Sequence, residues 1–219
     1  MFTGIIQAVG EIAAMERSGN DLRLRIRTGK LPLADVVLGD SIATSGVCLT
    51  VTDLPGDGYW ADVSHETLNF TTLGERALGD RVNLEKSLTP SSSMGGHIVS
   101  GHVDGVGTVR SIARDGRSWR YQVRAPEALA RYIAHKGSIT VDGTSLTVNA
   151  VSGADFELTI IPQTFGETLF ADYVEGSRVN LEVDVVARYL ERLLQMGGAA
   201  SSPAGLSWSQ LKEAGYVND

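Results

Sequence analysis

Two histidines, one cysteine and a pair of matched hydroxyl-bearing segments are the residues of this chain whose types and spacing suit chemistry. His102 lies between Gly101 and Val103. An imidazole titrates near neutrality and can move protons, while a glycine beside it lets a ligand approach the backbone. Cys48 in Gly46-Val47-Cys48-Leu49-Thr50 and Ser145 in Gly143-Thr144-Ser145-Leu146-Thr147 occupy the same slot of two similar segments. A cysteine alone reads as a small buried hydrophobe, but pairing it with a serine implies a slot that offers a polar group to a ligand, with Thr50 and Thr147 beside it. His97 and His102 suggest a metal pair. A strand through both would set them on opposite faces, and no carboxylate or cysteine completes a ligand set, so no metal is expected. The Ser145 segment lacks the Gly-x-Ser-x-Gly elbow of a hydrolase, and neither a phosphate-binding loop nor a dinucleotide fingerprint occurs.

These residues belong to a chain that repeats itself. Arg81-Val82-Asn83-Leu84-Glu85 recurs as Arg178-Val179-Asn180-Leu181-Glu182, a shift of 97 residues that also brings Gly4 onto Gly101, Leu49-Thr50-Val51 onto Leu146-Thr147-Val148, Thr67 onto Thr164 and Thr71 onto Thr168. A register held from end to end means a duplicated domain of about 90 residues, each copy large enough for a modest core. It also means two copies of one binding site. Identities report the shared scaffold, and polar differences mark where each copy does its own work. Ile5 stands opposite His102, Cys48 opposite Ser145, Ser45 opposite Asp142, Gly39 opposite Lys136, Phe2 opposite Val99 and Ser87 opposite Asp184. A further matched pair, Asp62-Val63-Ser64-His65-Glu66-Thr67 and Thr159-Ile160-Ile161-Pro162-Gln163-Thr164, runs from a strand end into a polar loop suited to the edge of a flat heterocycle.

The positioning elements read as short strands. Leu22, Leu24 and Ile26 alternate with Arg23, Arg25 and Arg27, and Trp119 to Arg124 alternates at the matching place. Further β-rich runs are Ile5 to Val9, Ser41 to Thr44, Leu49 to Asp53, Tyr59 to Val63 and Arg81 to Leu84. About six strands per copy with glycine-rich turns predict a small closed barrel or a sandwich. Pro126 followed by Leu129, Tyr132 and Ile133 predicts a short helix, with a similar cap at Leu31 to Leu38. Thr89 to Gly96 reads as a linker. Val183, Val186, Leu190 and Leu193 shift to helical spacing and predict an amphipathic helix outside both repeats, its stripe directed at another subunit's helix or a barrel. One last turn is expected around Trp208 and Leu211.

The net charge of −7 and the absence of a basic run argue against nucleic acid. A single cysteine, no signal-peptide pattern and no apolar stretch of membrane-spanning length make a cytoplasmic protein the expectation.

Met1-Phe2-Thr3-Gly4-Ile5-Ile6, the Cys-Leu-Thr and Ser-Leu-Thr strands, Met94-Gly95-Gly96-His97-Ile98-Val99-Ser100-Gly101-His102-Val103-Asp104-Gly105 and the doubled Arg-Val-Asn-Leu-Glu closely resemble the riboflavin synthase alpha-chain family over residues 1 to about 195. The resemblance implies an all-β fold of two tandem six-stranded antiparallel Greek-key barrels, residues 1–96 and 97–183, with a C-terminal helix in residues 184–219 that assembles a homotrimer. It implies a dismutation in which two 6,7-dimethyl-8-ribityllumazine molecules exchange a four-carbon unit, giving riboflavin and 5-amino-6-ribitylamino-uracil without cofactor or metal. Lumazine synthase is a further partner it admits. Carried over by motif, the pockets comprise Gly4, Ile5, Ile6, Cys48, Leu49, Thr50 and Asp62 to Thr67 in the first copy. In the second they comprise Gly101, His102, Val103, Lys136, Ser145, Leu146, Thr147 and Thr159 to Thr164. His102 and Thr147 are assigned to proton transfer, Ser145 and Cys48 to hydrogen bonding or addition at C7, and Ser41, Phe2 and Asp184 to shaping the shared site. A non-catalytic lumazine-binding protein of the same fold is the alternative.

Overall fold

The structure is a computed structural model that describes residues 1–197. The turn expected around Trp208 and Leu211 lies outside the described residues. Twelve strands form two closed antiparallel barrels. In the first, β1 (Ala8–Ser18), β2 (Asp21–Arg27), β3 (Ser41–Thr44), β4 (Val47–Asp53), β5 (Gly58–Val63) and β6 (Arg81–Lys86) close in the order β1-β2-β5-β4-β3-β6. The second uses β7 (Gly105–Asp115), β8 (Ser118–Arg124), β9 (Ser138–Val141), β10 (Thr144–Ser152), β11 (Asp155–Ile160) and β12 (Arg178–Val183) in the equivalent order. Each sheet closes on itself, which settles the choice between barrel and sandwich.

Alternation builds each core. Leu22, Leu24 and Ile26 point inward against Ile42, Val51, Tyr59 and Leu84, while the intervening arginines stay outside and pair with carboxylates such as Asp57 and Glu11. Tyr121, Val123, Val148, Phe156, Leu158 and Leu181 repeat the arrangement. Bulges fall at matched places, between Ile12 and Ala14 and between Val109 and Ser111, and again between Val51 and Asp53 and between Val148 and Ala150. Each adds the local twist that lets six short strands curl shut.

Four details differ from the sequence-based expectation. The run Ile5 to Val9 enters a strand only at Ala8, and the residues before it are extended and irregular. The polar segments at 62–67 and 159–164 end in short helices, α1 (His65–Phe70) and α2 (Pro162–Glu167), rather than in loops. The Ser64 hydroxyl caps α1 by accepting from the Thr67 amide, and Pro162 starts α2. The repeated Thr71 and Thr168 then turn the chain: each hydroxyl donates to the carbonyl four residues back and accepts from the amide two residues on. Of the two expected caps, the second is a 3-10 helix over Glu127–Tyr132, whereas Leu31 to Leu38 is a series of turns that still lays Leu31 and Val36 on the core. Val183 belongs to β12 and is buried, so the terminal helix, α3 (Val185–Gly197), begins after it.

Both barrels lie in one compact unit, residues 1–185, and α3 begins the other. Its apolar stripe, Val186, Tyr189, Leu190, Leu193 and Leu194, is exposed throughout, with Leu194 at 75%.

Candidate functional site

The duplicated Arg-Val-Asn-Leu-Glu strand explains how the barrels face one another. Valine and leucine point into the cores, the arginine and asparagine reach the neighbouring barrel, and the glutamate holds the segment that leads into its own. Asn83 donates to the Asp142 carbonyl at 2.9 Å and accepts from the Leu169 amide at 3.0 Å. Asn180 donates to the Ser45 carbonyl at 2.8 Å and accepts from the Thr72 amide at 2.7 Å. Arg81 pairs with Asp172 and Arg178 with Glu75, again across the seam. Every partner is the 97-residue counterpart of the other, so the barrels are related by a pseudo-two-fold axis, as in an isologous dimer. The axis passes where Gly46 and Gly143 meet. A β-carbon on Gly46, whose φ is 82°, would lie 2.7 Å from the Gly143 nitrogen.

Glu85 and Glu182, the last polar residues of the motif, hold the irregular segments that lead into each barrel. Glu85 accepts from the amides of Thr3 and Gly4 at 2.8 and 2.9 Å, and Glu182 from those of Ser100 and Gly101 at 2.7 and 3.0 Å. Burial pushes both carboxyls up, that of Glu182 to about 7, against the lowering effect of those donors. So tethered, each leading segment lies against the other barrel. The Ser145 amide donates to the Gly4 carbonyl at 2.7 Å, and the Cys48 amide to the Gly101 carbonyl at 2.8 Å. Phe2 and Val99, at matched positions, bridge to each other, and Phe2 packs with Ala43 and Cys48 in a small buried cluster.

These contacts occur where a sheet has parted. The ladder between β4 and β5 ends at Val51 and Ala61, and that between β10 and β11 at Val148 and Leu158. Beyond those pairs, Cys48 to Thr50 and Asp62 to Ser64 bound one slot, and Ser145 to Thr147 and Thr159 to Ile161 bound the other. The structure therefore regroups the expected residues. Gly101, leading to exposed His102, goes with the Cys48 slot, and Gly4, leading to exposed Ile5, goes with the Ser145 slot. Val103 packs on the first barrel's core, and a β-carbon on Gly143 would touch Ile6. Ser41 pairs with Thr50 and Ser138 with Thr147 in neighbouring strands. Thr50, Thr147, Asp62 and Thr159 face solvent. His65, Glu66, Pro162 and Gln163 are exposed in the first turns of α1 and α2, while Thr67 and Thr164 are half-buried. Leu49, Val63 and Ile160 point into the cores, so only their backbone can reach a slot; Leu146 is half-buried against the second core. Lys136 is exposed and holds a left-handed backbone conformation, φ 65°, at the place of Gly39.

The Ser145 hydroxyl lies 2.8 Å from Nδ1 of His97, and Asp184 acts on that imidazole through its charge. The segment from His97 to Asp104 is not a strand, so the argument that put His97 and His102 on opposite faces does not apply. Among the described residues no group of three His, Cys, Asp or Glu is placed to hold a metal ion. Glu85, Glu182, Asn83 and Asn180 are not among the expected site residues, although polar residues repeated unchanged inside strands are a signal for them. A cleft of about 500 Å³ on the seam, rimmed by the Arg81–Asp172 and Arg178–Glu75 pairs, touches none of the expected residues.

The lumazine binding domain matches residues 3–87 and 100–184, once for each barrel with its leading segment. The riboflavin synthase of Photobacterium phosphoreum is 48% identical over 217 residues, covering 99% of this chain and all of that protein. The chain belongs to the riboflavin synthase family. The Bacillus subtilis member is 38% identical over 216 residues, again 99% of this chain and all of that protein. Among solved structures, LumP complexed with riboflavin superposes with a TM-score of 0.76 at 27% identity, over 84% of this chain and 99% of that one. LumP complexed with 6,7-dimethyl-8-(1'-D-ribityl) lumazine gives 0.74 at 26% identity with the same coverage.

Proposed function

We propose that the two slots seat two molecules of 6,7-dimethyl-8-ribityllumazine and that the protein converts them into riboflavin and 5-amino-6-ribitylamino-uracil. The observation that carries this reading is the doubled slot beside β4 and β10, chemically unequal at Cys48 and Ser145 and at His102 and Ile5. One substrate molecule gives carbon and the other takes it, so similar seats with different polar groups suit the reaction. The C7 methyl of the substrate, conjugated to an imine, loses a proton to give a stabilised carbanion. Proximity and orientation supply up to roughly 7–11 kcal/mol in favourable cases. Acid–base help from His102 and Thr147 adds about two to four orders of magnitude. Cys48 and Ser145 hydrogen-bond or add at C7, while Ser41, Phe2 and Asp184 shape the site and Lys136 supplies a cation.

The exposed stripe of α3 supports a homotrimer, in which the first barrel of one subunit meets the second barrel of its neighbour. Association with lumazine synthase and a cytoplasmic location complete the proposal. No described helix is long and apolar enough to cross a membrane.

The test is an absorbance assay with 6,7-dimethyl-8-ribityllumazine. Riboflavin should accumulate, and His102→Ala or Ser145→Ala should slow it at least about tenfold, the scale of one lost polar contact to a reacting group. Binding without product would identify a carrier of the LumP kind instead. Unchanged turnover in both variants would remove the residue assignments.

A further inference from the structure

The Cys48 and Ser145 slots differ in one respect beyond the residues themselves. Ser145 has an imidazole on its hydroxyl. Nδ1 of His97 lies 2.8 Å from the Ser145 oxygen, and the contact is built from several directions. The His97 amide donates to the Thr3 carbonyl at 3.1 Å, which fixes the backbone of the ring. A β-carbon on Gly96 would lie 2.0 Å from that same carbonyl and 2.9 Å from the serine oxygen, so only glycine admits the approach. The Gly4 carbonyl accepts from the Ser145 amide and holds the serine from the other side.

We propose that His97 is a positioning residue that sets the hydrogen-bond polarity of Ser145. With a neutral ring whose proton is on Nε2, Nδ1 accepts the hydroxyl proton, and the oxygen lone pairs turn towards the slot. Ser145 then presents an acceptor to an electron-poor heterocycle. A charged ring would donate at Nδ1, occupy a lone pair and turn the hydroxyl proton outward, reversing what the ligand meets. Burial holds the imidazole below its ordinary range, against the opposing charge of Asp184, and so favours the neutral form at neutral pH. Glu85 on β6 is committed to the Thr3 and Gly4 amides and Glu182 on β12 to those of Ser100 and Gly101, while Arg81, Lys86 and Arg178 of the same strands pair with Asp172, Asp35 and Glu75. The inference rests on Ser145 meeting substrate, as proposed above.

Four variants of the full-length protein separate the outcomes, each checked for riboflavin binding by fluorescence to establish folding. Asparagine places an amide oxygen close to the position of Nδ1 but does not titrate. The parent should slow on acidification, and His97→Asn should keep kcat/KM within about twofold of the parent at pH 8 while losing that fall. His97→Ala should lose about tenfold, mainly in kcat, the scale of one oriented hydrogen bond. In a Ser145→Ala background, His97→Ala should cost nothing further, because its effect passes through the hydroxyl. An acid limb unchanged in His97→Asn, parental activity in His97→Ala, or additive losses in the double variant would each overturn the proposal. Parental activity in Ser145→Ala alone would instead overturn the site reading beneath it.

Discussion

Glu182 accepts two main-chain hydrogen bonds from the second leading segment, yet burial keeps its carboxyl near pH 7 rather than in the ordinary range. Asp142, fully buried at the seam and bonded to Tyr173 and the Asn180 amide, is pushed up to about 6 for the same reason. A carboxyl that holds its proton more tightly folded than unfolded favours the fold at low pH and loses that advantage as pH rises from its unfolded to its folded value. The window runs from about 4.5 to about 7 for Glu182 and from about 3.8 to about 6 for Asp142. The melting temperature should therefore fall between pH 5 and pH 7.5, and Glu182→Gln should flatten the fall. Differential scanning fluorimetry across that range reads both, and a parental slope in the variant would assign the dependence elsewhere. Differences between the two halves single out Cys48 and Ser145, whereas Glu85 and Glu182 are identical and read as scaffold. They are scaffold, but of the site. His97 is visible in the sequence only beside His102, and its tie to Ser145 is not. Ser145 lies 48 residues beyond His97, and no periodic signal joins them.

Among the elements, strands were legible because period-two alternation was sampled twice, and β2 and β8 begin and end close to where the arginine alternation does. Helices α1 and α2 were not, since six residues make under two turns and show no apolar stripe. Their signals were local: Ser64 as a cap, Pro162 at a first turn, and the repeated threonines behind them. The hairpin joining β3 to β4 turns through Ser45 and Gly46, both with positive φ, and its counterpart through Asp142 and Gly143. Their tips meet backbone to backbone. Gly46→Ala combines left-handed strain with a β-carbon inside van der Waals contact of the other barrel, and should cost about 3 kcal/mol. Gly153→Ala has the same strain, φ 60°, in open space and should cost only about 1 kcal/mol. Urea titration of the two variants measures the difference, and equal losses would mean that the seam yields.

For the molecule as a whole, the two barrels should unfold as one, because Asn83 and Asn180 each satisfy groups in the other barrel. Calorimetry should show a single transition for residues 1–185, and two separate transitions would make the seam an accessory. Helix α3 answers to a different test. Leu190→Glu with Leu193→Glu changes two exposed side chains of the stripe, so a trimer should dissociate to monomers in sedimentation while the barrel spectrum is retained. An unchanged sedimentation coefficient would remove the helix from the assembly. The axial contact of Gly46 with Gly143 also bears on history. Away from the axis the copies have diverged, and Arg76 stands opposite Tyr173 at the matched position. On the axis each glycine is the other's ceiling. A descendant that enlarges either one bears the cost of both strain and contact, so this pair of glycines should be among the last features of the ancestral duplication to be erased.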